Sequence, residues 1–434
     1  MIKNPFAYLF SCLFVLAAHG AMLINIFYNG KYDDIKDLII LAAAVLGLDI
    51  SYYIIMLFFK QYTYTIDFML LLVLNMSVIF QSCFGGVSFS VKHYVTCIAA
   101  LIACRFGHIL TYNHNWIQQQ KKYIWLGIGI LMVIILTLTG SRSMWINIGS
   151  FSIQPSEFMK PLLVLACATS ITEQQNKHKV WKFDIVWENI ILLGITGAVC
   201  LLQWWCRDLG SIPTFAAIYA AGFFLRICYP KAKFSNKTLI IAGSVVLVAV
   251  IIGIKVAPEY VRDRLFVDIW SDKDGNGYQQ SQALIAIADG GWFGKGPGKG
   301  FLHNVFAHES DIVFSSISEE WGLLYAIMMT LVILLIAASP LINPPRSYYH
   351  GTMCAGICAA FTVQMALNIF GSCNMIPFTG VTIPFISTGG SSMVTSGFMA
   401  GMLVAAQSPV FKKPKTKNKK TVKKSSQTRR RSAA

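Results

Sequence analysis

Residues 277–322 read GYQQSQALIAIADGGWFGKGPGKGFLHNVFAHESDIVFSSISEEWG, a run that no lipid-spanning helix would choose. Two basic residues, Lys295 and Lys299, sit on a glycine-rich loop, and one acid, Asp311, stands where hydrophobic sequence resumes. Glu319 and Glu320 follow just inside the next apolar stretch. Ionisable groups at bilayer depth cost roughly 2.5–3.5 kcal/mol each, so they are rare unless they pair or face a wet cavity. An acid at the mouth of such a cavity, beside a basic glycine-rich loop, suits chemistry on an anionic, lipid-borne substrate.

The rest of the chain sets the fold class by contrast with that run. Of 434 residues, 55% are hydrophobic and only 13% charged, about half the charged fraction of a soluble domain; mean hydropathy is +0.57. This is the composition of an all-α, polytopic membrane protein. Counting apolar runs of about 17–25 residues predicts twelve spans, near 6–28, 37–59, 64–84, 93–112, 122–139, 157–173, 189–205, 211–228, 238–256, 313–338, 350–371 and 390–408. Ten or eleven follow if a short run is re-entrant. The first run, after a single lysine, is longer than a signal-peptide core and reads as an uncleaved span.

Charge asymmetry predicts orientation. Alternate loops hold Lys60, then Lys121 and Lys122, then Lys177, Lys179 and Lys182, then Arg226, Lys231, Lys233 and Lys237, then Arg346. The positive-inside rule sends these to the cytoplasm with both termini. Arg262, Arg264, Lys295 and Lys299 conflict with that pattern, but they lie in a long extracytoplasmic loop, 257–312, where the rule loses force. Segments 141–157, 257–312 and 371–392 then share the outer face.

The net charge is +16, and Lys412 to Arg431 supply eight lysines and three arginines with no acid, which leaves +5 for everything before them. Such a tail, residues 412–434, reads as disordered, cytoplasmic and headgroup-facing, at about 1 kcal/mol per basic residue near an anionic leaflet. No aromatic residue interleaves its charges beyond Phe411, so nucleic acid is not the expected partner. Eleven cysteines show no CxxC and no metal-like spacing, so no disulfide framework is implied. No ligand cluster calls for a metal, although a divalent cation on a substrate phosphate is chemically reasonable.

Several motifs, in order, give the chain a specific resemblance. Gln154-Pro155-Ser156-Glu157 is followed by Lys160, with Trp145, Ile146 and Gly149 upstream. Asp208-Leu209-Gly210-Ser211, the run Gly277 to Gly298, Asp311 with Glu319, Glu320 and Gly322, and PFTGVTIPFISTGGSS from Pro377 to Ser392 complete the set. Over residues 122–408 the chain resembles the SEDS family (shape, elongation, division and sporulation), the group of FtsW, RodA and SpoVE. It departs from the pattern in three places. Met144 stands where the family has arginine, with Arg142 nearby, and Glu309 stands where it has histidine, with His308 adjacent. Five spans precede the Gln154 motif where the family plan of ten spans has three. An extra pair therefore sits within an N-terminal region, 1–120, ahead of a core at 121–411.

The resemblance implies a peptidoglycan glycosyltransferase that polymerises lipid II, an undecaprenyl diphosphate-linked disaccharide peptide, outside the bacterial cytoplasmic membrane with a class B penicillin-binding protein. It leaves division, elongation and sporulation open. Asp311 would be the general base, since a sugar hydroxyl attacking an anomeric carbon must lose its proton as the bond forms. An Asp at a helix start also suits an N-cap. Substrate contacts would come from Trp145, Glu157, Lys160, Arg262, Arg264, Lys295, Lys299, Glu320, Ser391 and Ser392. Amides of the glycine-rich loop would approach the diphosphate as an anion nest. Glu157 and Lys160, one turn apart, also suit a structural ion pair, and Trp145 an interfacial anchor. A precursor transporter and a non-catalytic scaffold are the rival readings. Both acid and loop fall on one face rather than at mid-depth, which favours the enzyme over a transporter.

Overall fold

A computed structural model describes residues 5–30, 35–58, 65–138, 144–149, 151–172, 177–180, 183–228, 267–271, 275 and 277–408. The expected span at 238–256, residues Arg142, Arg262 and Arg264, and the basic tail lie outside them.

The described chain is an all-α bundle. Helices α1 (Pro5–Asn29) and α2 (Ile35–Phe58) precede α3 (Thr65–Tyr112), α4 (His114–Gln119) and α5 (Lys121–Leu138). A small hairpin, β1 (Ile146–Ile148) with β2 (Phe151–Ile153), leads into α6 (Pro155–Thr172). A second antiparallel pair, β3 (Lys177–Val180) and β4 (Phe183–Val186), leads into α7 (Trp187–Trp205) and α8 (Ser211–Cys228). After the undescribed segment come α9 (Tyr278–Gly290), α10 (Val313–Trp321), α11 (Leu323–Ile342), α12 (Tyr348–Ser372) and α13 (Gly390–Gln407).

Two expected spans, 64–84 and 93–112, are the arms of α3. Ser77 Oγ lies 2.8 Å from His93 Nε2, whereas sixteen residues of straight helix would separate them by about 24 Å. The chain doubles back at Gly86, where φ is 82° and ψ is 172°. The second arm lies along α13 so closely that a β-carbon on Gly401 would meet the Cys104 carbonyl at 1.9 Å. Packing of small residues is how apolar helices gain contact where lipid offers no hydrophobic drive.

The expected span 313–338 is corrected to two helices. Gly322, at φ 91°, ends α10 and starts α11. Nine residues of α10 rise about 14 Å, too short to cross a bilayer, and all nine are buried, both acids included. Helix α11 instead exposes Leu324, Ile327, Met328, Leu331 and Leu335, a lipid-facing stripe. Splitting the run lets Glu319 and Glu320 stay inside protein, where backbone donors reach them.

The N-terminal helices dock on α3 through buried polar groups. His19 of α1 lies 2.6 Å from Asp49 of α2, and Asn75 of α3 donates to Asp49 at 2.8 Å and to the Val45 carbonyl at 3.1 Å. His19 Nε2 donates to the Leu72 carbonyl at 3.1 Å. Nearer the other end of the same helices, Arg105 pairs with Asp67. Buried charges survive in apolar surroundings when paired and hydrogen-bonded in this way.

Candidate active site

The three segments expected on one face do converge. A cavity of about 620 Å³ is walled by Trp145 and Gln154, by Tyr278 and Ser310, and by Phe378 to Thr382 with Thr388 and Gly389. A fourth segment joins them, Arg207 to Ser211, from the turn between α7 and α8. Among the described residues its charged lining is two cations, Lys160 and Arg207, and three acids, Glu157, Asp208 and Asp311.

Asp311 lies in the turn before α10. The N-cap position belongs to Ile312, which makes no side-chain cap bond; the Asp311 carboxylate accepts instead from the Ser310 hydroxyl at 2.8 Å. The turn is held by its carbonyls. Asn368 Nδ2 on α12 donates to the carbonyls of Asp311 (2.8 Å), Ser310 (3.3 Å) and Val381 (2.7 Å). The Ser387 hydroxyl donates to the Ser310 carbonyl at 2.7 Å. Gln81 of α3 donates to the carbonyls of Glu309 (3.1 Å) and Ile386 (3.3 Å). Irregular backbone is tolerated at such depth only where its polar groups are satisfied, and these amides do that for both 309–311 and 381–386.

Burial pushes the Asp311 carboxyl up to about 6, against the Ser310 hydrogen bond and with the help of the Glu309 charge. At neutral pH it is ionised, yet basic enough to take a proton. Asp208 is also raised by burial, opposed by hydrogen bonds from the Ser211 hydroxyl and amide; Gln154 Nε2 adds a third donor at 3.2 Å. Glu157 and Lys160 form the expected ion pair, buried and at 2.6 Å, and both line the cavity.

Of the expected site residues, Asp311, Trp145, Glu157, Lys160 and Ser392 come together around this cavity. Ser391 stands behind it, accepting from the Gln154 amide at 3.2 Å. Lys295, Lys299 and Glu320 do not line it. Arg262 and Arg264 fall outside the described residues. Neither Glu309 nor His308 lines the Asp311 cavity; they contact one another at 3.2 Å.

The glycine-rich loop needs a correction. Its amides serve the protein's own carboxylates: Gly298 donates to Glu320 at 2.8 Å, and Phe301 and Leu302 donate to Glu319 at 2.8 and 3.2 Å. The amides of Lys295 and Gly296 donate to the carbonyls of Glu319 and Glu320. Two carboxylates buried on α10 need donors, and the loop supplies them. Lys295, raised by its bond to Asp289 at 2.7 Å, sits 3.6 Å from Glu319. The loop is thus a clasp on α10 and not an open nest.

Sequence reasoning did not single out Arg207, Gln81 or Asn368 for the site. An amide inside an apolar span was the available signal for Gln81 and Asn368, although Asn75 and Gln364 share those spans; Arg207 directly precedes the Asp208-Leu209-Gly210-Ser211 motif. Among the described residues no group of three or more His, Cys, Asp or Glu side chains is arranged to hold a metal ion.

A family profile described as cell cycle protein (FtsW, RodA, SpoVE) matches residues 52–410. The chain is 29% identical over 337 residues to the probable peptidoglycan glycosyltransferase FtsW of Pseudoalteromonas translucida, covering 74% of this chain and 81% of that one. It is 28% identical over 356 residues to the peptidoglycan glycosyltransferase RodA of Mycobacterium tuberculosis, covering 75% and 71%. Similarity to the stage V sporulation protein E of Bacillus subtilis is 29% over 271 residues, or 61% and 71%. In fold, the chain is similar to a component of a peptidoglycan synthase complex that coordinates polymerisation and crosslinking (TM-score 0.62, 19% identity, 80% of this chain and 98% of that). It is similar also to Thermus thermophilus RodA (TM-score 0.52, 16% identity, 80% and 97%).

Proposed function

The chain belongs to the FtsW, RodA and SpoVE family of cell cycle proteins, and from that premise we propose that it polymerises lipid II into glycan strands. It is a multi-pass membrane glycosyltransferase. The observation that carries the mechanism is the Asp311 carboxylate, buried in a cavity with Lys160 and Arg207 and excluded from helix capping.

Asp311 takes the proton of an acceptor sugar hydroxyl as that oxygen attacks the donor's anomeric carbon. The new carbon–oxygen bond forms while the bond from that carbon to the diphosphate oxygen breaks, and its electron pair leaves with the diphosphate. Diphosphate is already a good leaving group, so no second carboxylic acid is demanded, unlike in glycosidases. Lys160 and Arg207 supply positive charge in the cavity for the phosphates, where charge-assisted bonds are strongest. The reaction face is extracytoplasmic, with both termini inside, and a class B penicillin-binding protein is the partner that crosslinks the product.

Purified full-length protein, incubated with lipid II with and without that partner, tests the reading. Wild type yields glycan strands and Asp311→Asn yields none while still binding lipid II. Strands made by Asp311→Asn at the wild-type rate would overturn the base assignment. Movement of lipid II across vesicle membranes with no strand formed would replace the enzyme with a transporter.

A further inference from the structure

Every turnover leaves a proton on Asp311, and the base works again only when that proton has gone. Substrate displaces water from the cavity that Asp311 faces. The structure offers a second way out. Among the described residues the Asp311 carboxylate has one hydrogen-bond partner, the Ser310 hydroxyl at 2.8 Å. A hydroxyl can accept a proton and give one at the same time, since it carries one hydrogen and two lone pairs. Ser310 also stands at a boundary. It lines the Asp311 cavity and a second one, of about 1240 Å³, across the turn, whereas Asp311 lines only the first. Of the residues common to both, Ser310 is the one bonded to Asp311.

Glu309 and His308 line only the second cavity. Both atoms near His308 Nδ1 are acceptors, the Val305 carbonyl at 3.0 Å and a Glu309 carboxylate oxygen at 3.2 Å. Nδ1 therefore carries the hydrogen and steadies the carboxylate. With its side chain 26% exposed, Glu309 reaches solvent, and its charge is felt at Asp311. Backbone bonds fix the order of these groups. Gln81 and Thr388 donate to the Glu309 carbonyl at 3.1 and 3.4 Å, and Asn368 and Ser387 donate to that of Ser310. The other ionisable groups stay on one side each: Glu157, Lys160, Arg207 and Asp208 on the first, Lys92, His93 and His303 on the second.

We propose that Ser310 and Glu309 return the proton of each turnover to solvent through the second cavity, so that Asp311 is loaded on one side of its turn and emptied on the other. This deepens the reaction proposed above and rests on Asp311 as its base. The protonated carboxyl gives its hydrogen to Ser310 Oγ as the Ser310 hydroxyl gives its own to water in the second cavity. At Ser310 one O–H bond breaks while another forms. The water passes the proton to the Glu309 carboxylate, which releases it to solvent. Asp311 ends ionised, Ser310 neutral, and nothing else is consumed.

Steady-state polymerisation of lipid II by the purified full-length protein, in weak buffer near neutral pH, tests the path. Ser310→Ala lowers kcat about 10–100-fold, at or below the range of a general acid–base group, with KM within about twofold. Ser310→Thr keeps the hydroxyl and stays close to wild type. The acid limb of the pH profile moves up in Ser310→Ala, because the hydrogen bond that lowers the Asp311 carboxyl is gone. It moves down in Glu309→Gln, because the charge that raises that carboxyl is gone. Glu309→Gln also lowers kcat, and added imidazole, a small mobile base, restores it in proportion to concentration while leaving wild type unchanged. That variant, at a part-exposed side chain, reads the path independently of any effect of Ser310→Ala on folding. Wild-type kcat in Ser310→Ala, or a Glu309→Gln enzyme indifferent to imidazole, would overturn the return path and leave Asp311 as the base. Strands made by Asp311→Asn at the wild-type rate, or none made by wild type, would overturn the reaction proposed above and the path with it.

Discussion

A β-carbon on Gly380 would stand 3.1 Å from Oδ2 of Asp311, so the carboxylate is seated directly against the backbone of the 377–389 segment. Gly380 is also at φ 64°, where an L residue costs about 1–2 kcal/mol. Gly380→Ala should therefore lower the melting temperature modestly and cut turnover much more, since a shift of about 1 Å at a reacting group costs roughly 10²-fold. Gly129→Ala, in α5 with open space around it, should leave both unchanged. Equal turnover for the two variants would sever Gly380 from the site.

The second prediction concerns pH. With the Asp311 carboxyl at about 6, turnover should rise from pH 5 to pH 7 and be half-maximal near 6, because the ionised form is the base. Stability moves the other way. The native state keeps this proton up to about pH 6 while the unfolded chain releases it near 4, so stability is fully present below about 4 and falls until about 6. Asp311→Asn removes that loss, worth about 3 kcal/mol at 1.36 kcal/mol per unit, and should melt at or above wild type at pH 8. A variant that melts well below wild type there would point to a structural role for the carboxylate.

Asn368 should act as a positioning residue. Asn368→Leu removes the donor to three carbonyls, two of them at Ser310 and Asp311. Turnover should fall about 10–100-fold with KM little changed, and stability by about 1–3 kcal/mol. The acid limb of the pH profile should shift, because the turn around Asp311 loosens. A loss of stability with turnover per folded molecule intact would confine Asn368 to packing.

Lys160 and Lys295 should part company. Lys160→Ala strips a cation from the cavity and leaves Glu157 buried without its partner, so activity and folding should both suffer. Lys295→Ala removes an exposed pair with Asp289, a long contact to Glu319 and a cation–π contact with Phe301. Polymerisation should stay within about threefold of wild type, the scale of a surface ion pair. A loss of tenfold or more in Lys295→Ala would return the glycine-rich loop to the substrate.

The helices were legible because apolar runs of spanning length carry their own signal, and eleven of the twelve expected runs appear among the described residues in some form. The misplaced boundary at 313 came from counting hydrophobicity through SSISEEWG; two acids followed by a glycine were the warning. The glycine-rich loop was misread for a physical reason. Free amides and phosphate chemistry look the same in sequence whether the anion is a substrate or a carboxylate on the next helix. Asp311, Glu157, Lys160 and Trp145 could be found because local motifs carry them. Gln81 and Asn368 left only a polar group in an apolar span as a signal, because the 309–311 carbonyls they hold lie far away in the chain and only the fold brings those within reach.

The His19–Asp49–Asn75 joint also bears on how the protein is made. The family match begins at residue 52, so α1 and most of α2 emerge from the ribosome before any of it. A carboxylate near the middle of a helix costs about 2.5–3.5 kcal/mol to place in the bilayer, and Asp49 stands near the middle of α2. His19 offsets that cost as soon as α1 and α2 fold onto each other, and Asn75 completes the arrangement when α3 follows. The first two helices are therefore built to enter the membrane as a pair, each carrying the group that makes the other's insertion tolerable, and to wait there with one carboxylate oxygen and one carbonyl already aimed at the helix still to come.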